Sequence, residues 1–238
     1  MCACVNFVGV NLAWMCTHVN IYSVTTTRDR PTYHHGDLRN ALVRAAADLA
    51  ERGGPDAVTI RAAAREVGVT PTAAYRHFAG QADLLDAAKA DALERMAVVI
   101  LDVLGEPPTD ATPVEAALHH MRAGGRGYVR FALAEPGLFR TAFCKSEHDD
   151  LTRADETLAD APPYAFLTES LDELVRVGWL DPALRPNAET AAWATVHGLS
   201  LLLLDGPYRA LTQAERETLI ESTLDMVVRG LAGGPEAR

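Results

Sequence analysis

Cysteine is scarce in this chain, with four in 238 residues. Cys2, Cys4 and Cys16 fall in one N-terminal stretch and Cys144 stands alone far downstream. That distribution is no disulfide framework, and it points to a reducing cytoplasm. Long apolar runs are missing as well. No stretch of about 18 uninterrupted apolar residues occurs, so no membrane partner is expected. The opening MCACVNFVGVNLAWMCTHVNIYSV is apolar but lacks the basic start and small-residue cleavage site of a signal peptide. Catalytic signatures are absent: there is no HExxH, no paired Glu-x-x-His, no Gly-rich phosphate loop and no G-x-S-x-G elbow. Positive charge is short, with 22 Lys and Arg against 32 Asp and Glu, a net of −10. A chain that acidic should not cling to a polyanion.

The charge is unevenly spread. Residues 1–27 carry none apart from His18. Residues 28–80 hold 8 Arg and 6 Asp or Glu, and residues 81–238 hold 14 Lys or Arg and 26 Asp or Glu. The segment from 28 is therefore at +2 and the remainder at −12. Residues 1–27 read as a disordered or over-called tail, with Met15 or a later codon as the true start. Cys2, Cys4, Cys16 and His18 fit no standard zinc spacing, so no metal and no other cofactor is expected.

What remains is helical pattern nearly everywhere, with 48% hydrophobic residues to build a core. Leu38, Leu42, Ala45 and Leu49 recur at helical spacing until Gly53-Gly54-Pro55 stops the helix. A long helix follows from about Ala82 to Leu104, ended by Gly105 and Pro107-Pro108. Thr112-Pro113-Val114-Glu115 and Thr212-Gln213-Ala214-Glu215 are capping boxes. The helix after the first box is expected to reach Ala134 despite Gly124, Gly125 and Gly127, which weaken it. Pro163 opens another helix that Gly178 closes, and Asn187 is expected to cap the next. The fold class is all-α, with about nine helices. The expected domains are a head over 28–96 and a larger second domain over 97–238.

The most informative stretch is 59–78, TIRAAAREVGVTPTAAYRHF. Thr59 is placed to cap one short helix. Thr70, with Pro71 at the first helical position, is placed to cap the next. Gly68 between them suits the left-handed conformation that ends a helix. This is a helix-turn-helix plan, which points to the major groove of double-stranded DNA. On the second helix Thr70 and Thr72 present hydroxyls toward phosphates and base edges, and Tyr75 and His77 follow at the far end. Arg76 shares the exposed side, and the Thr59 end of the supporting helix suits a phosphate. Ile60, Val67, Val69 and Phe78 read as core, and Arg61 and Arg65 as solvated.

Residues 33–85, with the order of a long first helix, a Thr-led second helix and then G-V-[ST]-x-x-x-x-Y-x-H-F, resemble the tetracycline-repressor (TetR) family of bacterial regulators. The resemblance implies a three-helix DNA-binding head in which Thr70, Thr72, Tyr75 and His77 contact DNA. The family usually carries a Lys at the start of the fourth helix to clamp a phosphate, and here that position is Gln81. Gln81 can still donate a hydrogen bond but brings no charge. Arg28 and Arg30, in the arm before the first helix, are placed to compensate from the minor groove.

Residues 191–206, AAWATVHGLSLLLLDG, resemble a C-terminal domain of part of that family marked by Trp, His and Gly, here Trp193, His197 and Gly198. Trp193, His197, Leu201 and Leu204 share a helix face. With Leu219, Met226 and Val227 of the last helix they form the expected interface of a homodimer. The resemblance also implies a pocket for a small-molecule inducer among the middle helices. Its candidates by aromatic content are Tyr128, Phe131, Phe139, Phe143, Tyr164 and Phe166. The expected function is a cytoplasmic, ligand-responsive repressor that binds a palindromic DNA operator, and not an enzyme. Two other readings stand beside it. One is a small α-helical metal-dependent enzyme using His119, His120 and His148, although adjacent histidines cannot share one helix face. The other is a dimeric ligand-binding module whose head has lost DNA binding.

Overall fold

The computed structural model describes residues 35–145 and 161–232. Arg28, Arg30, the four-residue cysteine and histidine set of the tail, and His148 lie outside them. Among the described residues all regular structure is helical, in nine α-helices with two short 3-10 turns and no strand. The chain divides into two compact units. One contains residues 35–95 and 135–145, and the other residues 96–134 and 161–232.

The first unit begins with α1 (His35–Gly53), whose Leu42, Ala46 and Ala50 are fully buried at helical spacing. Helices α2 (Ile60–Val67) and α3 (Pro71–Ala74) pack against it. Ile60, Ala63 and Ala64 point α2 inward, and Phe78, at 1% exposure, closes the core behind α3. Helix α4 (Gln81–Leu104) follows. The unit also takes in α6 (Pro136–Ala142), which packs on α1. The approach is close: a Cβ on Gly137 would lie 2.2 Å from the Ala50 carbonyl oxygen, so only glycine fits.

The second unit contains the C-terminal part of α4 with α5 (Pro113–Ala134), α7 (Pro162–Arg176), α8 (Arg185–Leu204) and α9 (Gln213–Leu231). Both expected capping boxes form. Thr112 N–H donates to Glu115 Oε2 at 2.8 Å while Glu115 N–H donates to Thr112 Oγ1 at 3.3 Å, and Thr212 with Glu215 repeats the pair. The glycines of α5 are sites of close packing: Phe166 fits against Gly124, Leu224 against Gly125 and the Ile100 backbone against Gly127. Their cost in helix propensity is thus offset by burial of three neighbouring helices. One expected cap does not form. Helix α8 starts at Arg185, two residues before Asn187, with Leu184 at the cap position and no side-chain hydrogen bond. Pro186 in the first turn, where a missing N–H is harmless, moves the start upstream.

Candidate nucleic-acid interface

The helix-turn-helix is built by three local devices. Thr59 adopts an extended backbone and its Oγ1 accepts from Ala62 N–H at 3.1 Å. Gly68 takes φ 76° and ψ 29°, a left-handed conformation that L side chains rarely adopt, and Val69 N–H then donates back to the Ala64 carbonyl at 2.9 Å. Thr70 Oγ1 accepts from Ala73 N–H at 3.3 Å, with Pro71 behind it. The second helix is shorter than the pattern suggests. Only Pro71–Ala74 is regular, and Tyr75, Arg76 and His77 continue it as turns. Ala74 carries the next contacts: its carbonyl accepts from His77 N–H at 2.9 Å and from Phe78 N–H at 3.2 Å.

This geometry leaves a distinct outer surface. Thr70, Thr72 and Arg76 are exposed, and Tyr75 is 54% exposed, so its phenol does not pack inward. His77 is half-buried, as are Val67 and Val69, whereas Ile60 and Phe78 are true core. Gln81 is exposed at the first position of α4, where Asp83 Oδ2 accepts from Ala79 N–H at 2.9 Å and fixes the entry of that helix. Arg39 lies 4.8 Å from the Phe78 ring centroid and covers the core edge with its guanidinium.

The aromatic candidates of the middle helices separate into two sets. Phe139 and Phe143 belong to the first unit, with ring centroids 5.2 Å apart on α6 and just after it. Tyr128, Phe131, Tyr164 and Phe166 belong to the second, where Phe131 and Phe166 are buried core. Tyr128 is the connecting residue. Its hydroxyl accepts from Trp193 Nε1–H at 3.2 Å and lies 2.8 Å from His197 Nδ1. Trp193 in turn meets Tyr164 edge-on, with centroids 6.0 Å apart. Burial holds the Tyr128 phenol above its ordinary range and the His197 imidazole below its own, so both favour the neutral form. The sequence pattern separates Tyr128 from Trp193 and His197, but the structure joins them in one hydrogen-bonded cluster.

The remaining interface candidates differ in exposure. Met226 is 69% and Leu201 42% exposed, while Leu204 is half-buried. Leu219 and Val227 are half-buried against core clusters of their own unit. Leu202 and Tyr208, which helical spacing does not single out, are also exposed. A run of four leucines, Leu201–Leu204, spans a full helical turn, so part of it must face outward. Of the histidines proposed for an enzyme, His119 and His120 have ring centroids 6.0 Å apart, with His119 Nε2 2.9 Å from the Leu104 carbonyl oxygen and His120 buried. Among the described residues no group of three or more His, Cys, Asp or Glu could hold a metal, and no helix is long and apolar enough to cross a membrane.

A head of three short-looped helices with an exposed, capped second helix-turn-helix element defines a helix-turn-helix DNA-binding regulator. Residues 42–88 match the family model for bacterial regulatory proteins of the tetR family. Residues 121–227, which include Trp193, His197 and Gly198, match the model described as the tetracyclin repressor-like C-terminal domain. The chain belongs to the TetR family, and it is a DNA-binding transcription regulator rather than an enzyme. It is 26% identical over 199 residues to the uncharacterized HTH-type transcriptional regulator YobS of Bacillus subtilis (strain 168), covering 84% of this chain and 93% of that one. A solved structure of a protein of unknown function from Rhodococcus sp. RHA1 is 25% identical with a TM-score of 0.67, covering 86% of this chain and all of that one. A TetR family transcription regulator from Marinobacter aquaeolei VT8 shares the fold at 20% identity and a TM-score of 0.58, over 82% of this chain and 96% of that one.

Proposed function

We propose that this regulator is a cytoplasmic repressor that binds a palindromic operator as a homodimer and releases it when a small molecule binds the second domain. Thr70, Thr72, Tyr75, Arg76 and His77 meet the major groove, Thr59 and Gln81 hold phosphates on either side, and Arg28 and Arg30 reach the minor groove. The observation that carries the reading is the exposed Tyr75, at 54%, beside exposed Thr70, Thr72 and Arg76 on a helix that buries only Ala74. Apart from the cap made by Thr70, these side chains have no partner among the described residues, and they are the groups that a phosphate and base-edge reader needs.

Dimerisation follows from reach and from exposure. One short helix reads few base pairs, whereas a twofold pair reads two half-sites. Leu201, Leu202 and Met226 expose apolar surface on α8 and α9, which a second copy would cover. Inducer binding is supported by the Tyr128, Trp193 and His197 cluster, where neutral donors and acceptors lie among aromatic rings. A ligand that prefers one arrangement of that cluster would shift the population of DNA-competent protein. The test uses purified protein and DNA from upstream of its own gene. Light scattering should give a dimer, and a gel shift should show a salt-sensitive complex. A thermal-shift screen should identify small molecules that both stabilise the protein and dissolve that complex. A monomer that binds DNA without sequence preference would refute the reading.

A further inference from the structure

Several arginines of the described residues have a carboxylate partner: in the second unit Arg122 pairs with Asp225 at 3.0 Å and Arg126 with Glu221 at 2.6 Å. Arg52 of the head pairs with Glu66 at 3.0 Å. Arg61, Arg65 and Arg76 are different. Each is exposed, and none has a hydrogen bond or ion pair from its side chain among the described residues. Glu66 is the sole acid between Thr59 and Gln81, and Arg52 already engages it. In a chain of net charge −10, the helix-turn-helix therefore keeps three unneutralised guanidiniums.

Exposure alone would carry nothing, because a solvated arginine is stable on any surface. Position adds to it. Arg61 and Arg65 are one turn apart on α2, on the face away from buried Ile60, Ala63 and Ala64. Each has the reach and the forked donors to hold a phosphate. At the start of α4, Gln81 offers no cation to do so.

We infer that Arg61 and Arg65 are phosphate-holding residues, and that together they restore to this head the charge that Gln81 withholds. The inference rests on DNA binding by the head but not on any operator, inducer or dimer. Phosphates carry no sequence information, so the contact acts on any duplex.

The experiment measures affinity by fluorescence anisotropy across a salt series, on a duplex from upstream of the gene and on a generic duplex. Wild type is compared with Arg61→Gln and Arg65→Gln, whose thermal melts should match it. Removing one contact lowers the slope of log K against log salt by about 0.9, so each substitution should lower it by about 1.8 if two heads bind. The decrease should be the same on both duplexes, and adding Gln81→Lys to Arg65→Gln should restore it. Unchanged slopes would overturn the inference and leave both arginines as solvated surface. A loss confined to the upstream duplex at unchanged slope would also overturn it, by making them base readers. If wild type binds both duplexes equally, the operator reading fails while this inference stands. If it binds neither, both fail.

Discussion

Tyr128→Phe isolates the hydroxyl that ties α5 to α8. The ring stays, so no cavity beyond the lost oxygen is made, and the perturbation is chiefly of hydrogen bonding. Tyr128 is 6% exposed, and its oxygen is 3.2 Å from Trp193 Nε1 and 2.8 Å from His197 Nδ1. A typical intramolecular hydrogen bond contributes about 1 kcal/mol net, so two give about 2 kcal/mol. Trp193 and His197 are half-buried, and water can re-satisfy part of what they lose. The expected destabilisation is therefore about 1–2 kcal/mol, read as a lower urea midpoint at unchanged m-value. The double variant with Trp193→Phe should lose less than the sum of the singles, because both remove the same bond. A destabilisation below about 0.5 kcal/mol, or strict additivity, would refute the claim that this hydroxyl ties the two helices together.

Four further outcomes follow from the geometry. Gly137→Ala sets a Cβ 2.2 Å from the Ala50 oxygen and 2.5 Å from the Glu51 oxygen, so it should destabilise the head by about 1–3 kcal/mol in urea unfolding. Gly230→Ala, where an added Cβ meets nothing within 4 Å, should instead stabilise, because alanine favours a helix. Burial lowers the His120 and His197 pKa values below the ordinary His value of about 6.5, so the unfolded chain binds more protons as pH falls. Their contribution should be complete above about pH 6.5 and lost as pH drops through the lowered folded values, which a melting series from pH 8 to about pH 5 checks. Thr59→Ala and Thr70→Ala should each cost the head about 1 kcal/mol by removing a cap, and the serine variants should recover most of it.

The elements that local chemistry decides were legible in the sequence. Thr59, Gly68, Thr70 and both capping boxes act through neighbours three or four residues away, so their spacing alone announces them. The all-α class followed from periodicity for the same reason. What escaped depends on partners distant in the chain. Gly124, Gly125 and Gly127 looked like weak points because the Phe166, Leu224 and Ile100 atoms they admit lie on other helices. Phe139 and Phe143 follow α5 in sequence, yet the close fit of Gly137 on α1 places their helix in the head unit. Tyr128 was separated from Trp193 and His197 because no pattern links residues 65 and 69 positions apart. Asn187 misled because a proline one residue earlier offers an equally good first turn. Charge summed over a whole segment hid the concentration of unpaired arginines on one motif.

The most direct test of the central claim is a footprint of purified protein on the DNA upstream of its own gene. Wild type should protect two half-sites whose centres lie about one helical turn, about 10 base pairs, or a multiple of it apart. Thr72→Ala combined with Tyr75→Phe should abolish that protection while light scattering still reports the wild-type assembly. Protection that persists in the double variant, or a wild-type protein that prefers no sequence in that region over generic DNA, would contradict the account.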